Sequence, residues 1–187
     1  MGRPTPGEPE LISVIDVRYY RHEDLAVIRR TLLDVHAQIP EYPPDDPFSR
    51  RFPWFVDHWG GHPDFTCVIG YEGDEATGFA YGAPLTAGRE WWRGHLDPAP
   101  ERSRTYAVSE LMVRPEWRKT GLADRLHHAL LADVEQDIAV LLVDVTHPKV
   151  QAKYESWDYG KVGERQPFAA SPVFAVMIKP LPSRHSR

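Results

Sequence analysis

One stretch restricts the fold more than any other, from Tyr106 to Val145. Tyr106 to Val113 reads as a strand, bounded by a basic, proline-containing loop. A helix then opens at Gly121 and runs to Val134 by its spacing. Leu122, Leu126, Ala129, Leu130 and Val134 fall on one face of it, the clearest helical period in the chain. Ile138 to Val145 follows as a strand without polar alternation, the pattern of a strand covered on both faces. A helix set between two such strands calls for a layered sheet with helices packed on it.

The rest of the chain extends this arrangement. Ile12 to Tyr19 reads as a first strand, and Arg21 to Asp24 opens a helix with acid in its first turn. Leu25, Ile28, Leu32, Val35 and Ile39 give that helix one buried face, and Pro40 stops it. A shorter helix is expected from Pro47 to Trp59, although Pro53 lies inside it. Phe65 to Tyr71 and Ala76 to Ala83 form a hairpin across Glu72-Gly73-Asp74-Glu75. Thr86 to Thr105 is a polar insertion. Pro148 to Trp157 is a last helix, and Lys161 to Arg165 and Val173 to Ile178 are closing strands. The order predicts an α/β (α+β) sandwich in one domain. Residues 1–10 are expected as a flexible leader, 11–181 as the domain and 182–187 as a tail.

Composition excludes several functions. The single Cys67 rules out an internal disulfide framework and any multi-cysteine zinc site. It lies in an apolar run and reads as buried rather than nucleophilic. The nine histidines lack the spacing of a helical metal site, so no metal is expected. A net charge of −5 lacks the basic footprint of a nucleic-acid binder. No signal peptide opens the chain, and the apolar run at 138–145 is too short for a bilayer. A soluble, cytoplasmic protein that binds neither nucleic acid nor membrane is the expectation.

The loop into the helix at Gly121 carries the chemistry. Backbone amides at a helix N-terminus have no intrahelical partner and, with the dipole, attract anions. Arg118 and Lys119 add positive charge, and Gly121 and Ala123 allow close approach. The loop is not a P-loop, since it lacks the Gly-Lys-Ser/Thr ending. An ordinary strand-to-helix turn is the competing reading of this stretch alone.

Two blocks then point to a family. Arg118-Lys119-Thr120-Gly121-Leu122-Ala123 resembles the Gln/Arg-x-x-Gly-x-Gly/Ala signature of the GNAT superfamily, the acyl-CoA-dependent N-acetyltransferases. His147-Pro148, Tyr154-Glu155-Ser156-Trp157-Asp158-Tyr159 and Val162-Gly163 are similar, in register, to its Asn-Pro…Tyr-Glu-x-x-Gly-Phe…Val-Gly block. The order of elements agrees from about Ile12 to Leu181. His147 stands in place of the usual Asn, and Asp158 in place of a Gly. The second change asks for a left-handed Asp, which Asp tolerates better than most residues.

The resemblance implies a single mixed, mostly antiparallel sheet of about seven strands flanked by about four helices. The fourth and fifth strands would splay apart. It further implies acetyl-CoA as co-substrate, as in bacterial members, with no metal. Arg118, Lys119, Thr120, Gly121, Leu122, Ala123 and Asp124 would hold its pyrophosphate. The main chain of Leu111, Met112, Val113 and Arg114 would pair with the pantetheine arm, near His147. Met112 and Arg114, or neighbours one residue away, are the main-chain partners expected. Tyr154 matches the family's acid for the departing thiolate and also lies on the cofactor side. Glu110, on the fourth strand, is the base for the acceptor amine. Transfer is direct, so Cys67 is not required.

The acceptor is not specified by motif. The first two helices and the insertion bear many aromatics, of which Trp54, Trp59, Trp91 and Trp92 are assigned to the acceptor wall, and the insertion to a lid. Glu41, Asp45, Asp46 and Asp57 suit a cationic acceptor. A small-molecule or peptide amine is expected, and a homodimer is left open. The alternatives are an acyl-CoA-binding sensor without transfer activity, or a transferase acting on a protein N-terminus, a lysine or a charged tRNA.

Overall fold

The structure is a computed structural model, and it describes residues 14–183. The expected leader, the first residues of the first strand and most of the expected tail lie outside the described residues. One seven-stranded sheet has the order β1-β2-β3-β4-β5-β7-β6. Its strands are β1 (Ile15–Arg21), β2 (Thr66–Glu72), β3 (Glu75–Pro84), β4 (Thr105–Val113), β5 (Ile138–Asp144), β6 (Gly160–Arg165) and β7 (Phe174–Pro180). Only β4 and β5 are parallel; every other neighbour pair is antiparallel. Four helices flank it: α1 (Leu25–His36), α2 (Pro47–Gly60), α3 (Leu122–Leu131) and α4 (Pro148–Glu155). This is the mixed, mostly antiparallel sheet that the resemblance implied.

Element limits follow local hydrogen bonding. The first helix was expected to run from Arg21 to Ile39. Instead His22–Asp24 is a 3-10 turn, and α1 ends at His36. Its last turn tightens, with Gln38 and Ile39 donating to the carbonyls three residues back. Ile39 remains buried, so the apolar period overran the helix. The same holds for α3, expected to Val134. Ala132 and Val134 bond three residues back, and Val134 packs in the core from outside the helix. In α2, Asp46 caps the N-terminus by accepting from the Phe48 amide at 2.8 Å, and Pro47 occupies the first turn. Pro53 removes only its own bond, and the helix continues because Phe52 and Val56 are fully buried.

The two faces of the sheet are covered differently. On one, α3 packs Leu122, Leu126 and Leu130 against Val68, Ala80, Leu141 and Met177. On the other, α1 and α2 cover β2 and β3 through Ile28, Leu32, Phe52, Val56 and Phe79. Among the described residues, no helix covers the remainder of that second face. There the segment between β3 and β4 lays Trp92 on Ala107, Ile138, Val140 and Val176. No helix of the described residues is long and apolar enough to cross a membrane.

Candidate active site

The site begins with an irregularity in β4. Tyr81 pairs with Glu110 and Gly82 pairs with Val108, so Ser109 is an extra residue in the ladder. Before this bulge, Tyr106 and Val108 face α3; after it, Leu111 and Val113 do. Glu110 and Met112 are thereby turned to the α1/α2 face. Gly82 makes the bulge possible, since a Cβ there would lie 2.0 Å from the Ala107 carbonyl oxygen.

Beside the bulge the sheet opens. Parallel pairing with β5 stops at Ala107 and Val140. Beyond it, β4 has a neighbour only on the β3 side. The Arg114 amide donates to Thr77 of β3 at 2.9 Å. Strand alternation sends Met112 the same way, so the peptide groups of Leu111 and Val113 face the gap. Of the alternatives raised by the resemblance, these neighbours one residue away hold the open edge.

Glu110 projects into an uncharged environment. No hydrogen bond or ion pair reaches its carboxyl among the described residues. Burial pushes it up to about 8. Three tyrosines feel its charge: Tyr42, Tyr81 and Tyr154. Tyr42 comes from the α1–α2 loop, Tyr81 from β3 and Tyr154 from α4. Burial and the Glu110 carboxylate both hold the Tyr154 phenol well above its ordinary range, so it remains protonated and able to donate. Tyr154 stands edge-on to Trp157 and Tyr159, at 5.5 and 5.7 Å between ring centres. The Tyr159 hydroxyl is in turn 2.9 Å from His127 Nε2. The expected pair, Glu110 and Tyr154, is therefore brought together, with Tyr42 and Tyr81 added.

The loop before α3 has the geometry of an anion cradle. Lys119 and Gly121 take left-handed φ values of 60° and 83°. No side chain caps α3, so its first amides, from Leu122 to Asp124, stay available. A depression of about 320 Å³ lies over this turn, lined by Val113, Trp117, Lys119, Gly121 and Lys153 among others. Lys153 was not anticipated from the sequence. It lies next to Tyr154 in α4 and reaches back over Trp157 at 5.1 Å. The side chain of Arg118 does not add free charge here. Its Nη atoms grip Glu41 at 2.6 and 2.9 Å, and Nε donates to the Val113 carbonyl at 3.2 Å. Thr120 bonds the Trp117 carbonyl at 2.5 Å, and Leu122 belongs to the core. The Arg114 guanidinium pairs with Glu75 at 2.7 Å. His147 precedes α4, with its ring exposed and Nε2 4.0 Å from Asp144. Asp158 has φ +68°, the left-handed conformation expected of it.

The tryptophans are dispersed. Trp92 is 1% exposed and donates its indole N–H to Thr105 at 2.9 Å. Trp59 and Trp91 form an edge-on pair at 5.9 Å that packs against the same cluster. Trp54 is exposed on α2, stacked on His58 at 4.7 Å. A separate ring cluster joins His36, Tyr42, Phe48 and Phe52, with His36 stacked on Phe52 at 4.1 Å. Cys67 is fully buried, and burial raises its thiol far above its usual range. Among the described residues, no group of three or more His, Cys, Asp or Glu is placed to hold a metal ion.

A sheet split at β4–β5, with uncapped helix amides at the split, is the arrangement that the resemblance to the acyltransferases implied. The model of the acetyltransferase (GNAT) family matches residues 30–159, and the chain belongs to that family. No curated protein matches the sequence. Several solved structures share the fold. Arabidopsis thaliana NAA60, in complex with a bisubstrate analogue, superposes with a TM-score of 0.62 at 14% identity, covering 90% of this chain and 100% of its own. The ribosomal-protein-S18-alanine N-acetyltransferase of Escherichia coli gives 0.60 at 14% identity, covering 93% and 99%. YncA of Salmonella typhimurium, solved with its cofactor acetyl-CoA, gives 0.59 at 13% identity, covering 94% and 98%.

Proposed function

We propose that the protein moves an acetyl group from acetyl-CoA to a primary amine by direct transfer. The observation that carries this reading is the Glu110 carboxyl, which lacks an ionic partner and couples to Tyr154 beside the split between β4 and β5. The residues present fit the co-substrate. The amides from Lys119 to Asp124 would hold its pyrophosphate, and Lys153 would add charge. The open peptide edge of Leu111 and Val113 would pair with the pantetheine amides.

Acetyl-CoA supplies an acetyl group activated as a thioester. Glu110 takes a proton from the acceptor ammonium, directly or through water, leaving a nucleophilic nitrogen. As the carbon–nitrogen bond forms and the carbon–sulfur bond breaks, the Tyr154 hydroxyl donates its proton to the sulfur, the second proton of the acylated nitrogen, now acidic, restores the phenol, and Glu110 returns its proton to solvent. A base with a pKa near the working pH is well matched to this task.

The test is thiol release from acetyl-CoA against a panel of primary amines. Saturable turnover is expected, and Tyr154→Phe should lower kcat at least about tenfold while acetyl-CoA Kd moves by no more than about twofold. Tight acetyl-CoA binding with no turnover on any amine would instead favour a sensor.

A further inference from the structure

We propose that the acceptor is an amine with no carboxylate beside its reacting nitrogen, and that its second cationic group is received by the acidic mouth around Tyr42. This rests on the transfer reading above and names the acceptor class for the same site.

The first support is polar groups left without partners. Tyr81 is fully buried, and its hydroxyl has no hydrogen bond of normal geometry, although Ser109 lies near. It shares a face with Glu110, its partner across the β3–β4 ladder, and feels that carboxyl's charge. A buried hydroxyl beside an unpaired carboxyl is a binding site that awaits a donor and a positive charge. An ammonium supplies both.

The second support is the sign of the surrounding charge. Burial first, and then the charges of Glu110, Glu41, Asp46 and Asp144, raise the Tyr42 phenol to about 12. Arg118 already neutralises Glu41. Asp46 accepts only a helix amide, and Asp144 serves Thr146 while staying 4.0 Å from His147. The field at the mouth therefore comes from Asp46 and Asp144, joined by Glu110 once it has lost its proton. Among the described residues, no cation is paired with Glu110. An α-amino acid would place its carboxylate against that group with nothing to balance it.

The third support is the wall. Tyr42, 38% exposed, stacks at 5.9 Å on buried His36 and packs on Phe48 at 4.9 Å. Ring faces beside carboxylates hold alkylammonium groups well.

Three amines test this: cadaverine, n-pentylamine and norleucine. Cadaverine adds a positive far end to pentylamine, and norleucine adds a carboxylate on the carbon that bears its amine. The expected order of kcat/KM is cadaverine, then pentylamine, then the amino acid, with about tenfold at each step. The cadaverine advantage should shrink as salt rises from about 0.02 to about 0.2 M. Asp46→Asn keeps a good N-cap, so the fold tolerates it, and it should narrow the cadaverine-to-pentylamine ratio. Asp144→Asn should act in the same direction. Pentylamine equal to or better than cadaverine would overturn the inference, as would an amino acid equal to pentylamine. Turnover of none of the three overturns it too, while the transfer reading stands or falls separately on the wider panel and on Tyr154→Phe.

Discussion

Glu110 is asked to be buried and to be charged, and the two demands conflict. Burial raises its pKa to about 8, so near neutrality the folded chain holds a proton that the unfolded chain has released. Two outcomes follow from the sign of this shift. The protonated carboxyl is no base, so kcat/KM for the acceptor should rise with pH through about 8, beyond the acceptor's own titration. Glu110→Gln should remove that limb and lower kcat at least about tenfold. For stability, the proton bound only by the folded state favours folding at low pH. That contribution is complete below the unfolded carboxyl's range and is lost as pH rises towards about 8. Glu110→Gln should therefore gain on the order of 2 kcal/mol over the parent at about pH 8 and little at about pH 5. Thermal unfolding at the two pH values checks it. A variant less stable than the parent at the higher pH would show that the carboxyl is ionised and satisfied. In the sequence, Tyr154 was picked out by its register in the second block and Glu110 by its place on the fourth strand. Tyr81 and Tyr42 were not brought to Glu110 by any local pattern, because each arrives from a different element.

At the scale of elements, the turn into α3 carries the proposed pyrophosphate contacts. Gly121 has φ +83°, and a Cβ there would meet nothing within 4 Å. Its glycine is thus required by backbone conformation and not by crowding. Gly121→Ala should cost about 1–2 kcal/mol, because an L side chain resists the left-handed region. It should also weaken acetyl-CoA binding, since relief of strain re-aims the first-turn amides. Gly121→Asn should recover much of both losses, as Asn visits that region more readily. Thermal unfolding and calorimetric titration with acetyl-CoA read the two effects; an alanine variant equal to the parent in both would refute the turn's role. Most elements were legible because their apolar periods are long. Their ends were less so: Ile39 and Val134 keep the period and the burial of a helix after the helix has stopped. The Ser109 bulge was invisible for a different reason. A one-residue slip is set by pairing with β3, and no residue in β4 announces it.

For the whole molecule, the uneven covering of the sheet explains where the aromatic residues go. The α1/α2 layer reaches only part of its face, and the segment from Leu85 to Arg104 must close the rest without a helix. Six tryptophans and 18 prolines suggested acceptor chemistry in these variable parts. A count of aromatics cannot separate a binding wall from a core layer, because both bury rings. The placement separates them. Trp92 is 1% exposed, its N–H is bonded to Thr105, and Thr105 in turn donates to the Ser103 carbonyl at 2.7 Å. The ring therefore anchors the segment at the point where β4 begins and where its pairing with β5 is confined. Trp54, 54% exposed on α2, anchors nothing comparable. Trp92→Ala should cost about 3–5 kcal/mol through the cavity it leaves. Trp54→Ala should stay within about 0.5 kcal/mol. Denaturant unfolding of the full chain measures both. If Trp92→Ala unfolds with the parent's midpoint, the segment is a detachable lid and not a layer of the core.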